Sequence, residues 1–382
     1  MSASVDVRGR TASGGWTEWI PADSGTVALP VVTDEVQGRL VLTGTSAGAA
    51  PTVRGVTLTA APSTGGTEGL AETAPFSANV FATREGLVGG TTANGHVITE
   101  RDHFVALPSR RALSPRDTSD YSVRVCAPNG KCAFAPVWDV GPWNTRDDYW
   151  NPADRRQEWK DLPQGVPQAQ AAFRDGYNGG NDQFGRKAVN PAGIDLGDGV
   201  FWDALGLKDN SQVQVEYLWT GSVRLSAVAA DSAEGVAEVR SAPDEGAEVV
   251  GVAADSADVP VECLSGAWAR IGEKQFLAAA VLPDTEDVPT CEAAGVGGGA
   301  VEDGATGGAV AGGGSVDSTT STDPTTSAGS AGSAGSTASA GPTGSTASAG
   351  SVRSAGPAAP ADTTGSATSS TSADSASVAS AA

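Results

Sequence analysis

All nine tryptophans, four tyrosines and eight phenylalanines of this 382-residue chain lie at or before Phe276, and that break decides which part of it can fold. From Glu292 onward only Gly, Ala, Ser, Thr, Pro, Val and a few charges remain, with runs such as SAGSAGSAGSTASAG. Such a segment cannot bury enough apolar surface to offset its chain entropy, so residues 292–382 read as a disordered tail or stalk. Upstream, apolar residues come in short alternating runs punctuated by Gly, Pro, Asn and Asp. That is the pattern of strands, and the expected fold class is mainly β.

The runs divide the folded part into three. Residues 1–61 contain VDVRGRT, GWTEWIPA, GTVALPVV, GRLVLTG and VRGVTLTA, a pattern that predicts a small β-sandwich-like module. Within it, Trp16-Thr-Glu-Trp19 resembles sandwich segments that open many actinobacterial exported enzymes. A polar, Gly-rich linker covers 62–75. Residues 76–220 hold most of the aromatics and form the expected catalytic or binding unit. Its strand-like runs are Ser77–Thr83, Val97–Thr99, Tyr121–Cys126, Cys132–Val140, Gly193–Leu196 and Ser211–Trp219. A long insertion, 144–192, interrupts it and carries Tyr149, Trp150, Trp159, Phe173, Tyr177 and Phe184. Loops of that length are functional or disordered, and the aromatics favour function. Val166–Tyr177 has helix-forming composition, with Pro167 suited to the first turn. A small-residue linker, 221–235, precedes a third unit at 236–291. There VRSAP, EVVG, VPVEC, WARIG and FLAAAVL follow one another in an order that resembles a bacterial SH3-like barrel.

The net charge of −21 argues against a nucleic-acid partner, which requires clustered Lys and Arg. No apolar run approaches the roughly 20 residues of a membrane span. The cysteines fall as two local pairs, Cys126/Cys132 and Cys263/Cys291. Between the first two, Ala-Pro-Asn-Gly-Lys reads as a type I turn with a G1 bulge. That turn sets Cys126 opposite Cys132 within disulfide reach. A zinc site needs four ligands, which two histidines and widely split cysteines serve poorly. Two disulfides imply an oxidising compartment. Met1-Ser-Ala-Ser runs straight into a strand pattern without a signal peptide, so the chain reads as a mature or mis-started exported protein, extracellular or in the cell wall.

The stretch richest in chemistry is APVWDVGPWN, Ala135 to Asn144. Asp139 stands between Trp138 and Trp143, directly before a Gly-Pro turn, among apolar neighbours that would raise its pKa as a general acid requires. The plainer alternative is a strand ending in a turn, with Asp139 bonded to nearby backbone amides.

ANGH (Ala93–His96), ALP (Ala106–Pro108), the NGK hairpin, WDVGPW and GIDLGDGVFWDALGL (Gly193–Leu207) occur in an order that resembles the double-psi β-barrel of the rare lipoprotein A family, related to expansins and barwin-like proteins. The resemblance implies a six-stranded closed barrel crossed by an open groove. It places the family's acid at Asp139, a second aspartate at Asp195 and, more loosely, a histidine at His103. Val140 stands where the family has arginine, Gly197 where it has serine, and the insertion after Trp143 is far longer than usual.

P-loop, dinucleotide and zinc-helix motifs do not occur in the sequence, nor does a nucleophile elbow, which leaves carboxylates as acid/base candidates. One reading is a lytic transglycosylase acting on peptidoglycan or another cell-wall polysaccharide. It has Asp139 as acid/base, Asp195 or His103 orienting it, and Trp138, Trp143, Tyr149, Trp150 and Trp202 against the sugars. A hydrolase would need a second carboxylate, for which Asp147, Asp148 and Glu158 are candidates. The other reading is a non-catalytic glycan binder of the expansin or barwin type. In both, the SH3-like unit would add a wall-peptide contact and no cofactor is called for. Glu100, Asp102 and His103 could hold a cation, although a solvated turn accounts for them better.

Overall fold

Alternation at period two builds a closed barrel. A computed structural model of the chain describes residues 2–22, 25, 27–43, 52–59, 73–283 and 285–291. The tail expected at 292–382 and most of the linker at 62–75 lie outside the described residues. Six strands form the barrel, β4 (Phe76–Glu85), β5 (Val105–Leu107), β6 (Ser122–Cys126), β7 (Cys132–Val140), β8 (Ala192–Gly197) and β9 (Ser211–Tyr217), after three N-terminal strands, β1 (Ser2–Gly9), β2 (Ile20–Pro21) and β3 (Val36–Thr43). Their order is β7-β5-β8-β4-β9-β6, and β6 pairs back onto β7 to close the ring. Inward positions come from every second residue, for example Val80 and Ala82, Ile194 and Leu196, Val213 and Val215. Closure leaves these strands no free edge.

The hairpin between β6 and β7 forms as its turn chemistry requires. Cys126 pairs with Cys132 in register, Gly130 adopts φ 86° and the disulfide spans 4.1 Å between Cα atoms. Cys263 and Cys291 are also joined. Expected strand Val97–Thr99 is reduced to one bridge between Thr91 and Val97. The strand on that side of the barrel is β5 instead, from the ALP run.

The N-terminal segment gives one antiparallel sheet, β2 (Ile20–Pro21), β1 (Ser2–Gly9) and β3 (Val36–Thr43). A second facing sheet is absent among the described residues. The described residues of GTVALPVV form no strand, consistent with Pro30 lacking a ladder donor. This sheet is fastened to the barrel by buried polar contacts. Arg8 lies 4.3 Å from the rings of both Trp16 and Trp19 and pairs with Asp120 at 2.5 Å. Glu18 accepts hydrogen bonds from Trp150, Trp219 and Asn151. Burial, and then the charge of Asp148, raises its pKa.

The third segment holds β10 (Leu225–Ala227), β11 (Val236–Arg240), β12 (Val249–Ala254), β13 (Asp258–Pro260), β14 (Cys263–Ser265), β15 (Trp268–Gly272) and β16 (Gln275–Ala278). Val239, Ala253, Val259, Ala269, Ile271 and Leu277 fill its own core. β10 pairs with β13, so residues 225–227 of the expected linker belong to this segment. β12 runs parallel to the start of β7, Gly251 opposite Cys132, and continues the barrel sheet. A Cβ on Gly251 would lie 2.1 Å from the Cys132 carbonyl oxygen. Gly251→Val is therefore expected to break this ladder, raising amide exchange at Val252 and Phe134 by about tenfold or more while the hairpin disulfide persists. Unchanged protection would show that the backbone absorbs the side chain. No helix among the described residues is long and apolar enough to cross a membrane.

Candidate functional site

A register shift in the sheet creates the site. Val105 pairs with Val137, but the next residue, Ala106, pairs with Asp139, so Trp138 is the extra residue of a bulge. Strict alternation would send Asp139 to the same side as the buried Val137. The bulge turns it to the outer face, in one cross-strand row with Ala106, Asp195 and Thr83. Glu85, two residues beyond Thr83, projects from that same face of β4.

Three carboxyl groups therefore converge. Asp139 Oδ1 accepts hydrogen bonds from the backbone N–H groups of Ala93 at 2.8 Å and Val140 at 2.7 Å. Asp195 accepts from the Thr83 hydroxyl. Burial lifts the Asp195 pKa to about 7, with the charge of Asp139 adding to it. Glu85 is pushed further, to about 9, by burial first, then by the charge of Asp139, a hydrogen bond with Asp139 and the charge of Asp195. Two carboxyl groups can hydrogen-bond only when one holds a proton, and the raised pKa of Glu85 suits it to hold that proton at neutral pH. Its Oε2 is buried with no hydrogen-bond partner among the described residues.

Two similarly built loops frame the row. Residues 89–98 and 179–188 share a G-G-x4-G spacing. Each is closed by a bridge, Thr91 to Val97 and Asn181 to Lys187, with Gly95 and Gly185 at positive φ. In the first, Ala93 N–H donates to Asp139. At the equivalent place in the second, Gln183 N–H donates to Asn144 Oδ1 at 2.9 Å. The second loop also brings Arg186 against Trp143, its guanidinium carbon 5.9 Å from the ring centroid.

After β7 the chain passes through a cis Gly141–Pro142 bond, and Trp143 takes φ 64°. Its indole N–H donates to Asn190 Oδ1 at 2.9 Å. Here an open groove of about 440 Å³ is lined by Thr83, Arg84, Pro142, Trp143, Arg186, Asn190, Asp195 and Asn210. That volume suits a small ligand or a sugar or two of a longer chain.

The other candidates are distributed differently. Trp138 is half-buried, with its ring 4.6 Å from His96. His103 packs over Gly199 beside the turn of helix at Gly199–Ala204; burial lowers its pKa against the opposing charges of Asp203 and Asp102. No contact joins it to Asp139 among the described residues. Tyr149 and Trp150, expected against sugar, are 0% and 1% exposed, and a ring with no free face cannot stack on a ligand. They belong to the core, where Tyr149 bonds the Gly193 carbonyl. Trp202 remains 40% exposed, with the Arg84 guanidinium 4.4 Å from its ring.

Asp147 and Asp148, offered as second carboxylates, are fully buried and occupied. Asp147 pairs with Arg156, Asp148 with Arg111 at 2.7 Å. Glu158 faces solvent with Arg146. The insertion's acids are structural, and the additional carboxylate of the site is Glu85. Asp102 is taken up by His96 and Thr99, and no group of three potential metal ligands occurs among the described residues. Gly197 also finds its explanation: a Cβ there would approach the Asp102 carbonyl oxygen at 2.8 Å and the Phe104 ring at 2.9 Å.

Glu85, Arg84 and Arg186 were not singled out by sequence reasoning. The signals present were the polar end of FATRE and the repeated G-G-x4-G. No curated protein matches the chain. Residues 76–216, which carry all three carboxyl groups and the groove, match a family model described as Domain of unknown function (DUF8814).

Proposed function

We propose that the barrel cleaves a glycosidic bond in a cell-wall glycan, in the manner of the lytic transglycosylases of the rare lipoprotein A family whose motif order it resembles. The observation that carries this reading is the gathering of Glu85, Asp139 and Asp195 on one face, with Asp195 opening into a groove beside Trp143. The sequence pattern puts the acid at Asp139; access to the groove favours Asp195 for the proton transfer. With a pKa near 7, Asp195 is protonated often enough to donate and ionised often enough to accept. It would protonate the glycosidic oxygen as the bond to the anomeric carbon breaks. The sugar's own 6-hydroxyl would then close on that carbon, returning its proton to Asp195 and leaving an anhydro-sugar end. Asp139, fixed by two backbone amides, would supply the negative potential that stabilises the oxocarbenium-like centre. Glu85 would hold a proton against Asp139 and keep that carboxyl in place.

Localisation outside the cell, the double-psi connectivity of the barrel and the SH3-like character of the third segment belong to the same proposal. The two disulfides support the first, and the motif order supports the others. The competing reading is glycan binding without turnover, favoured by the backbone hydrogen bonds that occupy Asp139 Oδ1. Incubation with purified peptidoglycan, followed by mass spectrometry of released anhydro-fragments, separates the two. Asp195→Asn is expected to lower the release by about 100-fold or more with thermal stability retained. Wild-type rates in that variant would remove Asp195 from the mechanism, and no release by the wild-type protein would favour the binder.

A further inference from the structure

The groove has a chemical bias that its carboxylates alone do not suggest. Two arginines line it, in a chain whose acidic residues outnumber its basic ones by 45 to 24. Arg84 is the penultimate residue of β4, on one flank of the strand that carries Asp195. Arg186 packs over Trp143, which follows β7, on the other side of β8 beyond the intervening β5.

Each arginine is anchored from behind by an aspartate less exposed than itself. Arg84 binds Asp198 at 2.7 Å, with side chains 39% and 11% exposed. Arg186 binds Asp182 at 2.6 Å, with side chains 59% and 0% exposed. Arg186 spends a second donor on the Trp143 carbonyl at 2.7 Å. A guanidinium has five N–H donors in a fixed fork. The hydrogen bonds of Arg84 use Nη1 and those of Arg186 use Nε and Nη2, so among the described residues each fork keeps a nitrogen, Nη2 and Nη1 respectively, for a ligand.

Each guanidinium also lies beside exposed aromatic surface. Trp202 is 40% exposed with Arg84 at 4.4 Å, and Phe184 is 58% exposed with Arg186 at 5.0 Å. An aromatic face next to an anchored guanidinium offers a surface for a sugar's C–H face together with a bidentate partner for a carboxylate.

We propose that the groove takes a polysaccharide bearing carboxylate groups, whose acidic sugars are held by Arg84 and Arg186 on the two flanks of Asp195. This rests on the glycan reading above and names the class of chain. Two sources carry the required chemistry: uronic acids, with the carboxyl on the ring, and muramyl-type sugars, with the carboxyl on a lactyl ether. The arginines also oppose the repulsion that an anionic chain would meet from Asp139 and from Asp195 when it is ionised.

The test measures binding by calorimetry with the full-length protein. The probes are an oligogalacturonate and a peptide-free muramyl glycan, each compared with its carboxyl-reduced form. At least one carboxylated probe is expected to bind about tenfold more tightly than its reduced form at low salt, with the advantage shrinking as salt rises. Whichever acid shows the advantage identifies the source. In Arg84→Gln/Arg186→Gln the advantage should fall below about threefold, and in Arg84→Lys/Arg186→Lys it should be only partly retained, since the charge remains but the bidentate fork is lost. Thermal melts of both double variants establish that they fold. Equal affinity for acidic and reduced chains, or an undiminished preference in the Gln variant, would overturn the proposal. Cleavage assays run alongside keep the two readings apart. Turnover without carboxylate preference removes this inference alone, and carboxylate-dependent binding without turnover removes catalysis alone.

Discussion

Arg156→Ala is expected to destabilise the barrel by about 3–5 kcal/mol, the cost of leaving one member of a buried ion pair behind. Both partners of the Arg156–Asp147 pair are 0% exposed, with Nη2 and Oδ1 2.5 Å apart. The pair organises the insertion rather than decorating it. Arg156 Nη2 also donates to the Val166 carbonyl at 3.0 Å. Asp147 Oδ2 accepts from the backbone N–H of Gln168 at 2.6 Å, at the start of the helix α1 (Gln168–Asp175). Burial raises the Asp147 pKa to about 6 even with the Arg156 charge opposing that rise. Without Arg156, Asp147 must take up a proton or remain charged in the interior. Either outcome disturbs the segment that delivers Trp143, Asn190 and Arg186 to the groove, so ligand binding should weaken along with stability.

Denaturant unfolding measures the loss, and Asp147→Asn/Arg156→Met is the control. The double variant removes both charges and should recover most of the stability. A cost below about 1 kcal/mol for Arg156→Ala would mean that the pair contributes shape without net energy.

Glu85→Gln should make the protein more stable in alkali. A carboxyl whose folded pKa is raised holds a proton that the unfolded chain releases. Its contribution is complete below the unfolded value of 4.5 and is lost as pH climbs towards about 9. Asp195 adds a decline of the same sign between 3.8 and about 7. Wild-type stability is therefore expected to fall from pH 5 to pH 9. Glutamine keeps a donor for Asp139 and cannot ionise, so the variant should show a shallower fall. At pH 8 it should exceed the wild type by on the order of 1–3 kcal/mol, after allowance for partial access of solvent. Melting temperatures at pH 5, 7 and 9 check this. Parallel slopes for the two proteins would exclude Glu85 as the group that holds the proton. Glu85→Ala, which also removes the donor, should lose turnover that Glu85→Gln retains.

Much of the fold was legible because its causes are local. The Cys126–Cys132 hairpin follows from Pro128, Asn129 and Gly130, whose backbone preferences leave little choice. Helix α1 starts after Pro167 as its composition suggests, and period two marks most of the barrel strands. The N-terminal runs were less informative. In GTVALPVV and VRGVTLTA the alternation of apolar residues gives no strand among the described residues.

The site was legible only in part. Asp139 and Asp195 stand out through their neighbours, but Glu85 lies 54 residues before Asp139 on a strand whose alternation shows nothing unusual. Tyr149 and Trp150 share a composition with ligand platforms and differ from them only in what packs over them. Asp147 and Asp148 read as free acids until Arg156 and Arg111 arrive from elsewhere in the chain.

Turn chemistry, strand periodicity and the end of the aromatic residues at Phe276 were determined by the amino-acid order alone, because each depends on residues within a few positions of one another. The bulge at Trp138 that turns Asp139 outward, the meeting of three carboxyl groups and the placing of two arginines across the groove were decided by tertiary structure. Each depends on register between distant strands and on burial, and neither quantity exists before the barrel closes.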